Sequence, residues 1–248
     1  MTFLTREHPF FEGPTPRVLA HRGLHTQHPE NTAGSFRAAL AAGVTYIETD
    51  VVGSLDGVAM IAHDLTLDRI AGDSRALAEL SAAELADIDL GGEGFISLRQ
   101  ALEAFPTARF NIDVKDFRAI PDVINAVRHV EASDRVLITS FSAARRRAVV
   151  AEIPDVASSA ASTEFLGIFA ASRLWITPPL PRIQAVQIPV RGFGLSTITT
   201  ALVERYHRAG LEVHAWTIND PAEMRRLLDL GVDGLVTDRP DLALDIIS

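Results

Sequence analysis

The chain has 248 residues, 47% of them hydrophobic and 6% aromatic, enough to bury one large core without division into smaller domains. Lysine and arginine total 23 against 32 aspartates and glutamates, a formal charge of −9 with no basic block, which argues against a nucleic-acid partner. There are no cysteines, so disulfides and thiolate metal sites are excluded, and histidine and carboxylate remain as the strong metal ligands.

Residues Met1 to Pro16 mix Arg6, Glu7 and Glu12 with short apolar pieces and read as an N-terminal extension without the uninterrupted apolar stretch of a secretory signal. No segment reaches the roughly 18 apolar residues of a membrane span. The expectation is a cytoplasmic protein without a transmembrane segment, with residues 1–248 forming one domain.

Short β-rich runs then alternate with helical patterns, the sign of parallel strands joined by crossover helices. Strands are expected at Arg17–Ala20, Thr45–Val52, Arg109–Lys115, Arg135–Ser140, Val156–Ala160, Ala185–Ile188, Glu212–Thr217 and Gly234–Thr237. Helices are expected at Thr32–Ala42, Leu98–Phe105, Ile120–Val130, Ala143–Glu152, Glu164–Ser172, Thr199–Ala209, Ala222–Asp229 and Leu242–Ile247. Eight strand-then-helix units predict an α/β fold, a (β/α)8 TIM barrel. An open doubly wound sheet is disfavoured because His21-Arg22-Gly23, not a glycine-rich phosphate fingerprint, follows the first strand. Pro178-Pro179-Leu180-Pro181 reads as a rigid connection before the sixth strand.

In such a barrel reactive groups sit at the C-terminal ends of strands. In the second strand, alternation places Glu48 and Asp50 on one face; in the third it groups Asn111, Asp113 and Lys115 and turns Ile112 and Val114 outward. Three clustered carboxylates oppose one another's ionisation unless a divalent cation reverses the sign, and oxygen-only ligands favour Mg2+ or Ca2+. After the second strand, Gly53-Ser54-Leu55-Asp56-Gly57 is a turn and Val58–Ala62 a returning strand. Pairing sums of about 111–113 bring His63 back opposite Glu48 to Asp50. His21 faces the same space, and two imidazoles beside a cation can serve as general acid and base. Arg22 and Lys115 add positive charge suited to a phosphate, although Arg22 has the wrong strand parity and must reach over the rim.

These residues resemble the glycerophosphodiester phosphodiesterases, within the phospholipase-C-like phosphodiesterase barrels. The resemblance runs in order through His21-Arg22-Gly23, Pro29-Glu30-Asn31-Thr32, Glu48-Thr49-Asp50-Val51, Asp56-Gly57, His63-Asp64 with Leu67 and Arg69, Asp113-Val114-Lys115, Ala215-Trp216-Thr217-Ile218-Asn219, Val232-Asp233-Gly234 and Thr237-Asp238-Arg239-Pro240. It implies that His21 and His63 are the acid–base pair, that Glu48, Asp50 and Asp113 bind the metal, that Arg22 and Lys115 touch phosphate, and that Trp216 lines the pocket for glycerol. Asp113 stands where the family commonly has a glutamate. The connection from Arg69 to Arg99 carries only a helix start at Leu80–Leu85, as in the short form of the family, which implies a small glycerophosphodiester substrate.

His25, His28, His129 and His207 read as solvated, His214 as a core histidine, and Glu30, Asn31 and Thr32 as holding a loop and capping a helix. Gln187 stays unassigned. Against hydrolysis to glycerol 3-phosphate and an alcohol stand two other readings: a lysophospholipid-cleaving or lyase-like enzyme ending at a cyclic phosphate, and a barrel that only binds phosphodiesters. Retention of both histidines disfavours the last.

Overall fold

The structure, a computed structural model, describes residues 8–173, 182–192, 195–196 and 198–248. Its strands in chain order are β1 (Arg17–His21), β2 (Tyr46–Gly53), β3 (Ala59–Ile61), β4 (Arg109–Val114), β5 (Val136–Thr139), β6 (Ala157–Ser158), β7 (Ala185–Pro189), β8 (Arg191–Gly192), β9 (Leu195–Ser196), β10 (Glu212–Trp216) and β11 (Gly234–Thr237). Eight of them lie parallel in the order β6-β5-β4-β2-β1-β11-β10-β7. The edges meet through a bridge from Ser159 to Ala185, with Gln184 N donating to Ser158 O at 2.9 Å, so the sheet curls into the expected (β/α)8 barrel. The proline run at 178–181 lies outside the described residues.

Strand alternation sorts the core into two compartments. Val18, Ala20, Ile47, Val51, Phe110, Ile112 and Val114 point outward and pack beneath the helices. Leu19, Tyr46, Leu137, Ala157, Ala185 and Val236 fill the barrel interior. Phe10 and Phe11, from the N-terminal extension, are buried against this inner layer and close the N-terminal mouth, each burial contributing about 2 kcal/mol. Arg17 lies beside them in a bidentate pair with Glu212, at 3.1 and 3.0 Å, and His214 donates from Nε2 to the same carboxylate at 3.2 Å. His214 is therefore a core histidine at the end of the barrel away from the predicted chemistry.

Helix limits differ from expectation where prolines and caps decide them. The helices Pro221–Asp229 and Pro240–Ile247 begin before the expected Ala222 and Leu242, because proline at a first helical position gives up an N–H that would have no partner there. Asp220 caps the former, accepting from Glu223 N at 2.8 Å. Helix Ser162–Arg173 likewise starts ahead of Glu164, whose carboxylate accepts from Ala161 N at 3.0 Å. The expected strand at Val156–Ala160 narrows to β6, where Ala157 and Ser158 pair with Leu137 and Ile138, and Ser159 adds an isolated bridge to Ala185.

β3 returns against β2 with Val51 opposite Ile61 and Val52 opposite Met60, within the pairing sum expected for the hairpin. The excursion that follows builds its own small core of Met60, Ala62, Leu67, Leu77, Leu80, Leu85, Leu90 and Phe95, which fixes the backbone on the side of His63. Among the described residues no helix is long and apolar enough to cross a membrane.

Candidate active site

Parallel register decides which side chains meet. β1 sets His21 beside Glu48 on β2, and β2 sets Glu48 beside Asn111 and Asp50 beside Asp113 on β4. All eight residues singled out from the sequence, His21, Arg22, Glu48, Asp50, His63, Asp113, Lys115 and Trp216, line one cavity of 420 Å³ at the C-terminal end of the barrel. The structure assembles the group as one site; it also shows partners that the sequence reading left without a role.

Each histidine is held through Nδ1 by an aspartate. His21 Nδ1–H donates to Asp238 Oδ1 at 2.6 Å, and His63 Nδ1–H donates to Asp64 Oδ1 at 2.6 Å. That bond presents Nε2 toward the cavity, and Nε2 of His21 lies 3.9 Å from Glu48 Oε2. Asp238 also accepts from His25 Nε2 at 3.3 Å and from Asn219 Nδ2 at 2.6 Å. Burial would push the Asp238 carboxyl up, but the hydrogen bonds from His21, His25 and Asn219 outweigh it and hold the group far below the usual carboxylate range. His25, expected to be merely solvated, thus belongs to the support of His21. His207, read as solvated, pairs with Asp233 at 2.7 Å.

Arg22 reaches the cavity by a backbone device rather than by length. At φ 57°, a left-handed conformation that few residues other than glycine adopt, the chain turns so that Arg22 N donates to Glu48 O at 2.8 Å. The guanidinium then lies 3.4 Å from Asp50 and donates to Glu30 Oε1 at 3.0 Å. Gly23 follows at φ 84°, where a Cβ would sit 2.5 Å from Ser35 Oγ, which explains the glycine of the His-Arg-Gly run. Asn31 donates to Asp50 Oδ2 at 3.1 Å and accepts from Thr49 Oγ1 at 2.8 Å, so it orients a carboxylate as well as holding its loop.

Among the carboxylates the charge is unevenly compensated. Lys115 Nζ lies 2.8 Å from Asp50 Oδ1 and 2.7 Å from Asp113 Oδ2, between the two. Burial works against the ammonium, but Asp50 and Asp113 outweigh it and raise its pKa. Burial pushes the Asp113 carboxyl up, with Lys115 pulling it back and Asp50 adding to the rise. Glu48 is raised further, by burial first and then by Asp50 and Asp113. Among the described residues, buried Glu48 Oε2 and Asp113 Oδ1 have no hydrogen-bond partner, nor does the Asn111 side chain. Among the described residues no three His, Asp or Glu groups converge into a ready metal cluster, and Lys115 lies between Asp50 and Asp113. The orphaned carboxylate oxygens nevertheless fit a hard divalent cation, which takes oxygen donors.

The opposite wall is apolar. Trp216 meets Phe141 edge to face at 5.8 Å between centroids, and Phe165, Leu166 and Pro189 extend the surface. Phe141 and Leu166 are 56% and 50% exposed, so this wall opens to solvent at the mouth.

The pattern of the Glycerophosphoryl diester phosphodiesterase family matches residues 21–242, from His21 into the last helix. The chain belongs to that family. A Mycobacterium tuberculosis protein named "Probable glycerophosphodiester phosphodiesterase 2" is 40% identical over 237 residues, covering 93% of this chain and 90% of its own length. The crystal structure of a glycerophosphodiester phosphodiesterase from Agrobacterium tumefaciens is 28% identical with a TM-score of 0.76, covering 93% of this chain and 98% of its own. An Oleispira antarctica phosphodiesterase, solved in complex with the product sn-glycerol-3-phosphate, is 25% identical with a TM-score of 0.78, covering 94% and 97%. This phosphodiesterase family membership makes the chain an enzyme that hydrolyses glycerophosphodiesters.

Proposed function

We propose that the protein cleaves small glycerophosphodiesters to glycerol 3-phosphate and an alcohol by histidine acid–base catalysis that depends on a divalent cation. The observation that carries this reading is the pair of histidines, each anchored at Nδ1 by its own aspartate and both lining one cavity with Arg22 and Lys115. A site built only to bind a phosphodiester needs the cations but not two anchored imidazoles.

In the reaction one histidine takes at Nε2 the proton of the glycerol hydroxyl next to the phosphate, whose oxygen bonds to phosphorus as the ester P–O bond to the alcohol breaks, leaving a cyclic phosphate. The other histidine returns a proton to the departing alkoxide; water then opens the cyclic phosphate with the two histidines in exchanged roles, which gives glycerol 3-phosphate and restores both to their starting protonation. Arg22 is placed to neutralise phosphoryl oxygens, and Lys115 can turn from its carboxylates to do the same. Glu48, Asp50 and Asp113 would hold Mg2+ or Ca2+, which supplies positive charge for the phosphoryl oxygens. Trp216 offers its face to the carbon skeleton of glycerol. The expected outcome is that His21→Ala and His63→Ala each lower turnover of glycerophosphocholine by about 100-fold or more in folded protein. Chelation should inactivate the wild type, with Mg2+ or Ca2+ restoring it. Near-normal turnover by either folded histidine variant, or by metal-free enzyme, would reject the corresponding half of the mechanism.

The exposed apolar wall of Phe141, Phe165, Leu166 and Trp216 favours a second substrate, a lysophospholipid whose chain lies along it. Phosphorus NMR of the products distinguishes a hydrolysed monoester from a cyclic phosphate for either substrate.

A further inference from the structure

Arg69 occupies a position that the reaction outlined above does not use. It stands on the single turn Asp68–Ala71 with its side chain 50% exposed, yet one edge of its guanidinium joins two separate carboxylates. Nε donates to Asp64 Oδ2 at 2.6 Å, and Nη2 donates to Glu30 Oε1. Asp64 is the carboxylate that anchors His63, and Glu30 Oε1 is the oxygen that receives Arg22. Among the described residues Asp64 and Glu30 have no bond to each other; they meet through Arg69.

We propose that Arg69 is a positioning residue that holds His63 and Arg22 in one fixed relation, through Asp64 on one side and Glu30 on the other. The roles of His63 and Arg22 rest on the function proposed above; the linkage rests on the geometry. Half exposure would ordinarily leave an arginine mobile, but two features act against that. Leu67, two residues earlier, is fully buried in the small core beside β3, and its N–H is tied to Arg75 O at 3.0 Å, so the turn carrying Arg69 is fixed. Glu30 and Asp64 are themselves only 15% and 28% exposed, so the guanidinium binds partners that are already in place. Burial would raise both carboxyls, but bonds to Arg69 and to the groups they anchor hold each below its usual range. Lysine cannot substitute, because a point charge lacks the planar fork that engages two acceptors along one edge.

The test uses Arg69→Gln and Arg69→Lys in the full chain, with melting temperature, kcat and KM measured for glycerophosphocholine. The expected result is a fall in kcat/KM of about 10- to 100-fold in both variants, the usual size for loss of a group that orients a catalytic residue. Because both ends are released together, kcat should fall and KM rise, whereas a purely structural role would lower the melting temperature and leave KM unchanged. Asp64→Asn and Glu30→Gln should be non-additive by about 5-fold or more in the wild-type background and additive once Arg69 is glutamine. Imidazole 15N NMR reads the histidine end without turnover: His63 should hold the Nδ1–H tautomer in wild type and lose that preference in both variants. An enzyme inactive on glycerophosphodiesters would overturn the proposed function while the spectra still decided this linkage. Additivity in the wild-type background, kcat/KM within 2-fold for Arg69→Gln, or an unchanged His63 tautomer would overturn it.

Discussion

Replacing Asp238 with asparagine removes one charge and almost no volume, and the surrounding hydrogen bonds leave the new amide no good orientation. Asn219 cannot adapt, because its Oδ1 already accepts from Asp238 N at 2.9 Å and Thr237 Oγ1 at 3.1 Å, which fixes its Nδ2 toward the residue-238 side chain. If the new amide oxygen faces His21, its NH2 opposes the Asn219 donor. If it turns over, its NH2 faces His21 Nδ1 and forces the proton onto Nε2, removing the lone pair that faces the cavity. Either way at least one charge-assisted hydrogen bond is lost, about 1.5–3 kcal/mol, equivalent to about a 10- to 100-fold fall in kcat. Arg22 and Lys115, the cations proposed to bind phosphate, are untouched, so KM should stay within about 2-fold. Steady-state turnover of glycerophosphocholine, coupled to oxidation of released glycerol 3-phosphate, reads both constants. A folded Asp238→Asn enzyme with kcat within 2-fold of wild type would refute the argument that this carboxylate positions His21.

Three further outcomes are expected. Asp113→Asn should lose more metal-restored activity than Asp113→Glu, since only the latter keeps the charge, and an unimpaired asparagine variant would remove Asp113 from the cation site. Trp216→Ala should raise KM more than it lowers kcat, because the ring offers surface and no titrating group; a pure kcat defect would place it in bond breaking. At the other end of the barrel, burial pushes Glu212 up, but hydrogen bonds from His214 and Arg17 prevail and hold it at about 2 against an ordinary 4.5. With the folded value depressed, the unfolded chain binds the proton first, so this stabilisation is complete above the unfolded value and fades as pH falls toward 2. It is worth about 3 kcal/mol at neutral pH, so urea melts should show a wild-type advantage over Glu212→Gln that shrinks between pH 5 and pH 3. A gap independent of pH would contradict the linkage.

Much of the site could be read because strand periodicity and ladder register are local rules. Period-two alternation placed Glu48, Asp50 and Asp113 inward, and hairpin arithmetic returned His63 to them, as the pairing of Val51 with Ile61 shows. The partners of those residues were legible only through closure. Asp238 meets His21 because the last strand pairs with the first: Ala20 lies opposite Thr237, and one more step along both strands aligns the dyad. That pairing follows from a closed barrel, so extending the predicted architecture by one register step was the signal for Asp238. No such rule reaches Arg22, whose inward turn needs a left-handed backbone conformation, or Arg69, whose bonds cross between two loops. The last two helices start at Pro221 and Pro240, ahead of the expected Ala222 and Leu242, because the fixed φ and missing N–H of proline suit a first helical residue.

The charges facing the cavity support the cation proposed for the reaction. With Glu48, Asp50 and Asp113 ionised, Arg22 and Lys115 leave one negative charge in excess, and a phosphodiester brings another. The protein on its own relieves the excess by raising Glu48 well above its ordinary value, with burial and the charges of Asp50 and Asp113 all favouring the neutral acid. On its Nε2 side His21 faces Glu48 Oε2 at 3.9 Å, while Asp238 supplies the counter-charge at Nδ1. A divalent cation among these oxygens would favour the ionised carboxylate, satisfy the orphaned Glu48 Oε2 and Asp113 Oδ1, and change the excess to a positive one that attracts the substrate. Lys115 would then be released from two carboxylates to face phosphate. The arrangement of these side chains thus supports a site whose electrostatics are balanced for a phosphodiester and a cation together, with neither alone giving the same charge to the histidines' surroundings.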